Sequence, residues 1–406
     1  MVRVGAEDLE ALARALGGRA VGLVTNHSAF SARLGYTAEL VGKVARVEVV
    51  FAPEHGLWVS AAAGEPVRSH FDDEYGVRVY SLYGDTLEPP TEEVQKLDAV
   101  VYDIQDVGLR WYTYISTLYY VERACAKAGT PLVVLDRPNP LTGAVTEGPV
   151  LKPEYRSFTG VASVPARYGL TPGELALYYS RVEGLGCEVE VVRLGGWSRR
   201  MLFDETGLPW VPPSPNIPTL ETALVYAGAC LLEATNLSEG RGTASPFLQF
   251  GAPWVRAREL ARDLNGLGIP GVVFRPVKFT PSAGKYRGVE VRGVYVHVTD
   301  RERFRPFTCF VRVLRRVREV YGDKLALLTR EAEPEVEYLR DYTSLGSTGA
   351  SRYAIDYLAG DPDVRRCVEG SVDVEELEER WRREREGYVE AVRERGVLLY
   401  PGDIGP

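Results

Sequence analysis

The stretch AVVYDIQDVGLRWYTYISTLYYVERACAKAGTPLVVLD, residues 99–136, decides the fold of this chain. It begins with the apolar run Ala99–Ile104 and ends with the apolar run Leu132–Asp136, both typical of strands buried on two faces. Between them, apolar side chains recur at helical spacing over Ile115–Ala128. A strand, a helix and a second strand in this order predict a β-α-β unit with parallel strands.

The same alternation extends on both sides of this unit. A helical pattern covers Gly173–Val182, and the remaining apolar runs predict strands at Val21–Thr25, Val47–Ala52, Val77–Leu82 and Glu188–Leu194. We therefore predict an α/β fold with a Rossmann-like parallel sheet in an N-terminal catalytic domain, residues 1–210.

A proline-rich segment, residues 209–218, follows the predicted sheet, and so many prolines exclude a helix or a central strand. Beyond it, helical patterns surround a predicted strand at Val289–Val298. We predict a smaller α/β C-terminal domain there, residues 211–406.

Composition narrows the class of protein. The chain has 406 residues, of which 45% are hydrophobic, and its net charge of −8 argues against non-specific nucleic-acid binding. Five dispersed cysteines without a CxxC pair indicate buried thiols in a reducing compartment. The first residues do not resemble a signal peptide and no long apolar run occurs, so we expect a cytoplasmic protein without a membrane partner. Many Arg, Glu and Pro with only two Met indicate heat adaptation.

Polar side chains follow four of the predicted strands. Ligands of parallel sheets bind beyond the carboxyl ends of the strands, so these side chains are expected to converge. In chain order they are Asn26, then Glu54 and His55, then Asp106, Arg110 and Tyr112, and finally Arg137 and Asn139. Four such strand ends predict a ligand site better than they predict ordinary surface.

Each of these groups also has a structural interpretation. Glu54 and His55 would form a helix cap with a structural imidazole, or a carboxyl group at the sheet rim suited to general-acid chemistry, with His55 orienting it or binding a substrate hydroxyl. Asp106 and Arg110 would form a structural ion pair or contact substrate. Tyr112 would belong to the core or face a sugar.

Loops hold Arg137 and Asn139 from this set and one further candidate, Glu147. Arg137 and Asn139 lie in a turn fixed by two prolines, and we favour substrate contact over a purely structural loop because both groups need partners. Glu147 lies in a Gly/Pro loop, where a glutamate is usually solvated, and its neighbours make it a candidate second carboxylate.

The segment NLSEGRGT, residues 236–243, combines glycines with polar side chains, which lets the backbone approach a ligand closely. Glu239 and Arg241 would pair with each other as scaffold, or Arg241 would bind a substrate carboxylate in a bidentate manner. Asn216, in the proline-rich segment, is expected to reach the same cleft.

Several classes of site lack their motifs. The chain has no GxGxxG after a strand, no P-loop, no GxSxG and no HExxH, so we expect neither a cofactor nor a metal. The remaining carboxylates with Asn, Arg and Tyr are the groups of a glycosidase. Two rival hypotheses stay open: an amidase or deacetylase that acts on the sugar substrate of such a glycosidase, and a non-catalytic sugar-binding protein.

Nine segments together resemble one family. They are GLVTNHSA (22–29), FAPEHGL (51–57), SLYGDT (81–86), YDIQDVGLRWYTY (102–114), LDRPNPLTG (135–143), EGPVL (147–151), RYGLTPGELA (167–176), PSPNIPT (213–219) and NLSEGRGT. Through them the chain is identified as similar to the NamZ/YbbC family of exo-acting β-N-acetylmuramidases, which release N-acetylmuramic acid from the non-reducing end of peptidoglycan fragments.

The resemblance implies a Rossmann-like N-terminal domain, an α/β C-terminal domain and an active-site cleft between them. It implies Glu54 of PEHG as the catalytic acid and Glu147 as the second carboxylate or a substrate ligand. It implies a pocket for an amino-sugar or murein-fragment substrate lined by His55, Asp106, Arg110, Tyr112, Asn139, Asn216, Glu239, Arg241 and Thr243. Their positions at strand ends add Asn26 and Arg137 to the predicted substrate-binding residues. An arginine there, Arg241 or Arg110, would bind the lactyl carboxylate of N-acetylmuramic acid.

Overall fold

The computed structural model describes residues 1–332, 336 and 338–406. The strands among these residues are β1 (Ala20–Thr25), β2 (Phe30–Ser31), β3 (Gly35–Tyr36), β4 (Arg46–Ala52), β5 (His70–Asp72), β6 (Val77–Ser81), β7 (Ala99–Asp103), β8 (Leu132–Leu135), β9 (Glu147–Val150), β10 (Pro165–Arg167), β11 (Val189–Val192), β12 (Gln249–Ala252), β13 (Val272–Phe279) and β14 (Val291–Val298).

The helices of the same residues are α1 (Leu9–Leu16), α2 (Thr37–Gly42), α3 (Thr91–Val94), α4 (Tyr114–Ala128), α5 (Pro172–Arg181), α6 (Leu220–Ala229), α7 (Ala257–Gly266), α8 (Pro306–Tyr321), α9 (Leu339–Thr343), α10 (Ala354–Ala359), α11 (Asp363–Val368) and α12 (Val374–Glu394). None of these described helices is long and apolar enough to cross a bilayer.

The chain divides into two compact units, each assembled from segments distant in sequence. The first unit comprises residues 1–146, 168–218 and 387–405, and the second comprises 147–167, 219–386 and 406. The domain boundary predicted at residue 210 stays a prediction.

A seven-stranded sheet forms the centre of the first unit, in the order β11-β8-β7-β1-β4-β6-β5. Neighbouring strands from β11 to β6 are parallel, whereas the short edge strand β5 runs antiparallel to β6. All six strands predicted in this region are present, and β5 was not predicted. The expected Rossmann-like parallel sheet is confirmed.

Helices cover both faces of this sheet because its central strands are apolar on both sides. On one face, Val21 and Leu23 of β1 share a core with Leu12 of α1 and Leu40 of α2. On the other face lie α4 and α5, and the Tyr102 hydroxyl of β7 donates a hydrogen bond to the first carbonyl of α4 at 3.0 Å. Loops at the carboxyl ends of the strands are left to carry polar groups.

The second unit has a smaller, antiparallel sheet in the order β12-β14-β13, together with the two-stranded pair β10-β9. The strand predicted at residues 289–298 is β14, and its edge neighbour β13 was missed. Pro276 interrupts the β13 sequence, and an edge strand tolerates a proline because one side of its backbone has no partner strand. A smaller α/β C-terminal part is therefore confirmed alongside the larger parallel sheet.

Candidate active site

Loops after four strands of the first unit are joined by hydrogen bonds at one edge of the sheet. The His27 amide donates to the Leu57 carbonyl at 2.8 Å, which joins the loops after β1 and β4. The Gln105 amide donates to the Ser28 hydroxyl at 3.1 Å, and the Gln105 side chain donates to the Pro138 carbonyl at 3.0 Å. The loops after β1, β4, β7 and β8 thus form one connected edge, as the positions of the polar residues predicted.

Glu54 is buried at this edge, with 5% of its surface exposed. One carboxylate oxygen accepts a hydrogen bond from the Thr113 hydroxyl at 2.6 Å, and the other accepts one from the Gly64 amide at 3.1 Å. His55 adopts a left-handed φ of 69°, and its ring Nδ1 donates to the Ala61 carbonyl at 2.8 Å. The carboxyl group is therefore held in place by uncharged donors, and the imidazole fixes the loop that carries it.

Two tyrosines lie near the carboxyl group of Glu54, and an asparagine lies beside one of them. Tyr112 and Tyr114 meet edge to face with ring centroids 4.9 Å apart, and Glu54 acts electrostatically on both phenols. The Tyr114 hydroxyl donates to the Pro213 carbonyl at 2.5 Å and lies beside the Asn26 side chain. Asn26 in turn accepts hydrogen bonds from both the amide and the hydroxyl of Ser28. The proline-rich segment thus supplies backbone acceptors to the site.

Asp106 is tied to its own loop and to Tyr168. One carboxylate oxygen accepts hydrogen bonds from the Tyr168 hydroxyl and, at 2.6 Å, from the Gly108 amide. Burial raises the pKa of Asp106 to about 6, although these hydrogen bonds lower it. Gly108 has a φ of 79°, and a Cβ there would lie 2.3 Å from the Asn139 Oδ1, so the loop admits only glycine at this position.

Arg137, Asn139 and Arg110 are deeply buried. Arg137 forms a bidentate ion pair with Asp103. The Asn139 amide donates to the Leu170 carbonyl at 2.9 Å, and its oxygen accepts from the Leu141 amide at 3.0 Å. Arg110 has no exposed surface. The contacts of Arg137 and Asn139 favour positioning roles for these two side chains. The predicted contact of all three residues with substrate stays a prediction.

Glu147 lies in the second unit, on β9, at the N-terminus of α8. One carboxylate oxygen accepts hydrogen bonds from the Phe307 amide at 2.8 Å and the Thr308 amide at 3.4 Å, which otherwise lack partners in the first helical turn. Burial raises the pKa of Glu147 to about 7, and the nearby Arg167 guanidinium opposes this rise. This geometry is that of a helix cap, and a catalytic role for Glu147 stays a prediction.

Glu239 and Arg241 belong to a buried charge cluster of the second unit. The carboxylate of Glu239 lies 3.4 Å from the Arg241 Nε and 3.1 Å from the Lys285 Nζ. Arg241 also pairs with Glu233, and its guanidinium lies over the ring of Tyr338 at 5.0 Å. The scaffold interpretation, in which Glu239 and Arg241 pair, matches these contacts.

Thr243 and Asn216 occupy loop positions. The Thr243 hydroxyl donates to the Gly240 carbonyl at 2.6 Å and accepts from the Gln249 side chain at 2.9 Å, which closes the turn of the NLSEGRGT segment. Asn216 is half-buried in the proline-rich segment, two residues after Ser214, whose hydroxyl contacts Tyr112. Their substrate contacts also stay predictions.

Sequence reasoning missed three residues that organise these sites: Thr113, Tyr168 and Lys285. Thr113 follows Tyr112 in a motif whose aromatic residues were considered first. Its hydroxyl, in the loop that follows β7, was the feature of the sequence that could have identified it as a partner of Glu54. Tyr168 contacts Asp106, 62 positions earlier, and Lys285 contacts Glu239, 46 positions earlier. No local sequence pattern reveals contacts over such separations. Among the described residues, no group of three His, Cys, Asp or Glu side chains is placed to hold a metal ion.

The fold and the first-unit site define a Rossmann-like α/β protein with a buried carboxyl group at the carboxyl edge of its sheet, an arrangement suited to acid–base chemistry. Family comparison gives the particular family. Residues 21–221 match the N-terminal model of the exo-β-N-acetylmuramidase NamZ, and residues 224–400 match the C-terminal model. The chain belongs to this family, which confirms the predicted resemblance and the expected enzyme class, an exo-β-N-acetylmuramidase-like glycosidase.

Individual relatives agree with this assignment. The chain is 39% identical to the peptidoglycan β-N-acetylmuramidase NamZ of Bacillus subtilis (strain 168) over 89% of this chain and 83% of the relative. A crystal structure of a DUF1343 family protein from Bacteroides fragilis NCTC 9343 has a TM-score of 0.84 at 32% identity, covering 98% of this chain and 99% of that one. A second such protein from the same organism has a TM-score of 0.69 at 25% identity, covering 99% and 100% of the two chains.

Proposed function

We propose that this protein hydrolyses the β-glycosidic bond of a non-reducing-terminal N-acetylmuramic acid, or a related N-acetyl amino sugar, in peptidoglycan fragments. Family membership supports the glycosidase class, and the Bacillus subtilis relative bears the name of a peptidoglycan β-N-acetylmuramidase. The observation that carries the proposal is Glu54, a buried carboxyl group with uncharged donors at the carboxyl edge of the sheet.

Glu54 acts as the general acid in this proposal. It donates its proton to the glycosidic oxygen while the bond from that oxygen to C1 breaks, so the leaving sugar departs as a neutral alcohol. A water molecule then supplies hydroxide to C1, and the proton that remains returns to Glu54. Thr113 and the Gly64 amide orient the carboxyl group, and the phenol rings of Tyr112 and Tyr114 close the site beside it.

The route to C1 depends on a second group. A carboxylate would act as nucleophile or base, or the acetamido group of the substrate would assist, in which case Glu54 is the single essential acid. Glu147 is the predicted second carboxylate, but its helix-capping contacts support the route that needs one acid. The anomer of the first product, read by proton NMR, distinguishes inversion from the two retaining routes.

The test is turnover of a disaccharide with N-acetylmuramic acid at its non-reducing end, beside one with N-acetylglucosamine there. We expect wild type to release free N-acetylmuramic acid from the first and to leave the second intact, with full activity in chelator. Release of acetate or of a peptide with the glycosidic bond left intact, lost in chelator, would favour a metal-dependent amidase or deacetylase. Tight binding of the muramic disaccharide without turnover would favour the sugar-binding hypothesis. The expected cytoplasmic location and heat adaptation stay predictions.

A further inference from the structure

An aromatic cluster lies next to the Glu54 loop and takes no part in the acid step. Trp58 follows Glu54 by four positions and is 39% exposed, which is unusual for a ring of its size. Tyr75 stacks on it with centroids 5.5 Å apart and planes 12° apart, and Tyr36 meets it edge-on at 6.4 Å. Phe30 extends the group, with its ring 5.1 Å from that of Tyr36. We call Phe30, Tyr36, Trp58 and Tyr75 the aromatic cluster.

A buried carboxylate holds the exposed indole in place. Asp72 is only 5% exposed, and its Oδ2 accepts a hydrogen bond from the Trp58 indole N–H at 2.8 Å. Its Oδ1 accepts one from the Tyr75 amide at 2.9 Å. One side chain therefore fixes both partners of the stacked pair. An aromatic surface that is exposed yet held rigid has the properties of a pre-organised binding surface.

The cluster and the acid belong to one stiff segment. The segment between Glu54 and Trp58 includes His55 with its left-handed φ of 69°, and Val59 follows with a φ of 53°, a rare conformation for a β-branched residue. The hydrogen bond from the His27 amide to the Leu57 carbonyl joins this segment to the end of β1. A shallow depression lined by Asn26, His27, Tyr36, Leu57, Trp58 and Tyr75 therefore keeps a fixed position relative to the acid.

Charge decides which sugar ring suits this surface. The charged side chains that act most strongly on Tyr75 are Glu39, Asp72 and Glu74, all carboxylates. A ring that carries a carboxylate, such as N-acetylmuramic acid, is repelled there, whereas a neutral N-acetyl amino sugar presents its apolar face to the rings without that penalty.

We propose that the aromatic cluster binds the neutral sugar ring on the leaving-group side of the scissile bond, with Trp58 as the main contact. This inference rests on the proposed function, because it takes Glu54 as the acid that protonates the oxygen of that same ring. The cluster thereby selects saccharide leaving groups that follow the terminal N-acetylmuramic acid.

The test compares wild type, Trp58→Ala and Trp58→Phe on N-acetylmuramyl-β-1,4-N-acetylglucosamine. We expect the KM of Trp58→Ala to rise about tenfold, because stacked aromatic contacts of this kind are worth that factor, with kcat changed less than threefold. Trp58→Phe keeps an aromatic surface and restores most of the KM. Inhibition by free N-acetylmuramic acid, which occupies the other side of the bond, stays unchanged. Trp254→Ala, which removes a tryptophan packed on Tyr321 in the second unit, is the matched control and leaves all constants unchanged.

An unchanged KM in Trp58→Ala overturns the inference, and so does a parallel loss of affinity for free N-acetylmuramic acid. If wild type turns over neither disaccharide, the proposed function fails. The role of the aromatic cluster is then tested separately, by sugar binding. Titration with N-acetylglucosamine then has to quench tryptophan fluorescence in wild type and not in Trp58→Phe. Absence of that difference also overturns the inference.

Discussion

Two buried glutamates, Glu54 in the first unit and Glu239 in the second, show how partners decide what a carboxylate does. Glu54 receives its hydrogen bonds from a hydroxyl and a backbone amide, both uncharged. Glu239 lies between two cations, Arg241 and Lys285. Two cations make Glu239 part of a buried ion-pair cluster, whereas the hydrogen bonds to Glu54 come from neutral groups that orient its carboxyl group. Burial is nearly equal in the two cases, so burial alone does not distinguish catalysis from scaffold.

The largest expected effect separates chemistry from stability at Glu54. Glu54→Gln removes the proton donor, and we expect kcat/KM to fall about 10³-fold with a change in melting temperature under about 4 °C. Glu65→Gln, an exposed carboxylate of the same loop, is the matched control and keeps full activity. A Glu54→Gln enzyme that retains a tenth of wild-type activity would falsify the role of Glu54 as acid.

The reverse pattern is expected at Glu239. Glu239→Gln leaves Arg241 and Lys285 to share the charge of Glu233, and breaking a buried ion pair on one side destabilises a protein by about 3–5 kcal/mol. Chemical denaturation followed by circular dichroism measures this loss. The control is Glu259→Gln, which breaks an exposed pair with Arg256 and changes stability by less than about 1 kcal/mol. Equal denaturation midpoints for Glu239→Gln and wild type would contradict the scaffold role.

Glu147 sharpens the comparison, since its partners are neutral amides and yet it caps a helix. Burial raises its pKa to about 7 from an ordinary value of 4.5, so the folded protein holds a proton that the unfolded chain releases. The stability from this group is therefore full below pH 4.5 and is lost as the pH rises through about 7.

Glu147→Gln removes this pH dependence and keeps an oxygen for the amides of α8. We compare the free energy of unfolding of the mutant with that of wild type by denaturation at about pH 5 and at about pH 8. We expect the difference to shift in favour of the mutant by about 3 kcal/mol from the lower to the higher pH. Activity stays within about threefold of wild type if the cap is the whole role of Glu147. A loss as large as that of Glu54→Gln would instead identify Glu147 as the second catalytic carboxylate.

The parallel sheet was predictable because each central strand is an uninterrupted apolar run between helical patterns. β13 was missed because Pro276 breaks its run, and β5 because three residues are too few to show a period. Convergence of the polar loops followed from topology alone, since the carboxyl ends of parallel strands share one edge.

The partners of individual side chains were not predictable in the same way. Arg137 and Asp103 both stand at strand ends, and only the folded sheet brings them into a bidentate pair. The Glu147 carboxylate accepts a hydrogen bond from the amide of Phe307, 160 positions later in the chain. Local sequence shows which groups are polar and where they lie on a strand or loop, whereas the choice between scaffold and catalysis depends on contacts made across the chain.

The smallest expected effect tests how Glu54 is oriented. Thr113→Val removes the hydroxyl that donates to the Glu54 carboxylate at 2.6 Å and keeps the shape of the side chain. Losing one such hydrogen bond is worth about 1.4 kcal/mol, so we expect kcat to fall about tenfold with KM unchanged. Thr113→Ser keeps the hydroxyl and restores kcat, which a purely packing role for the methyl group does not predict. An unchanged kcat in Thr113→Val would mean that the Gly64 amide alone orients the acid, and the contrast with the doubly paired Glu239 would then be sharper still.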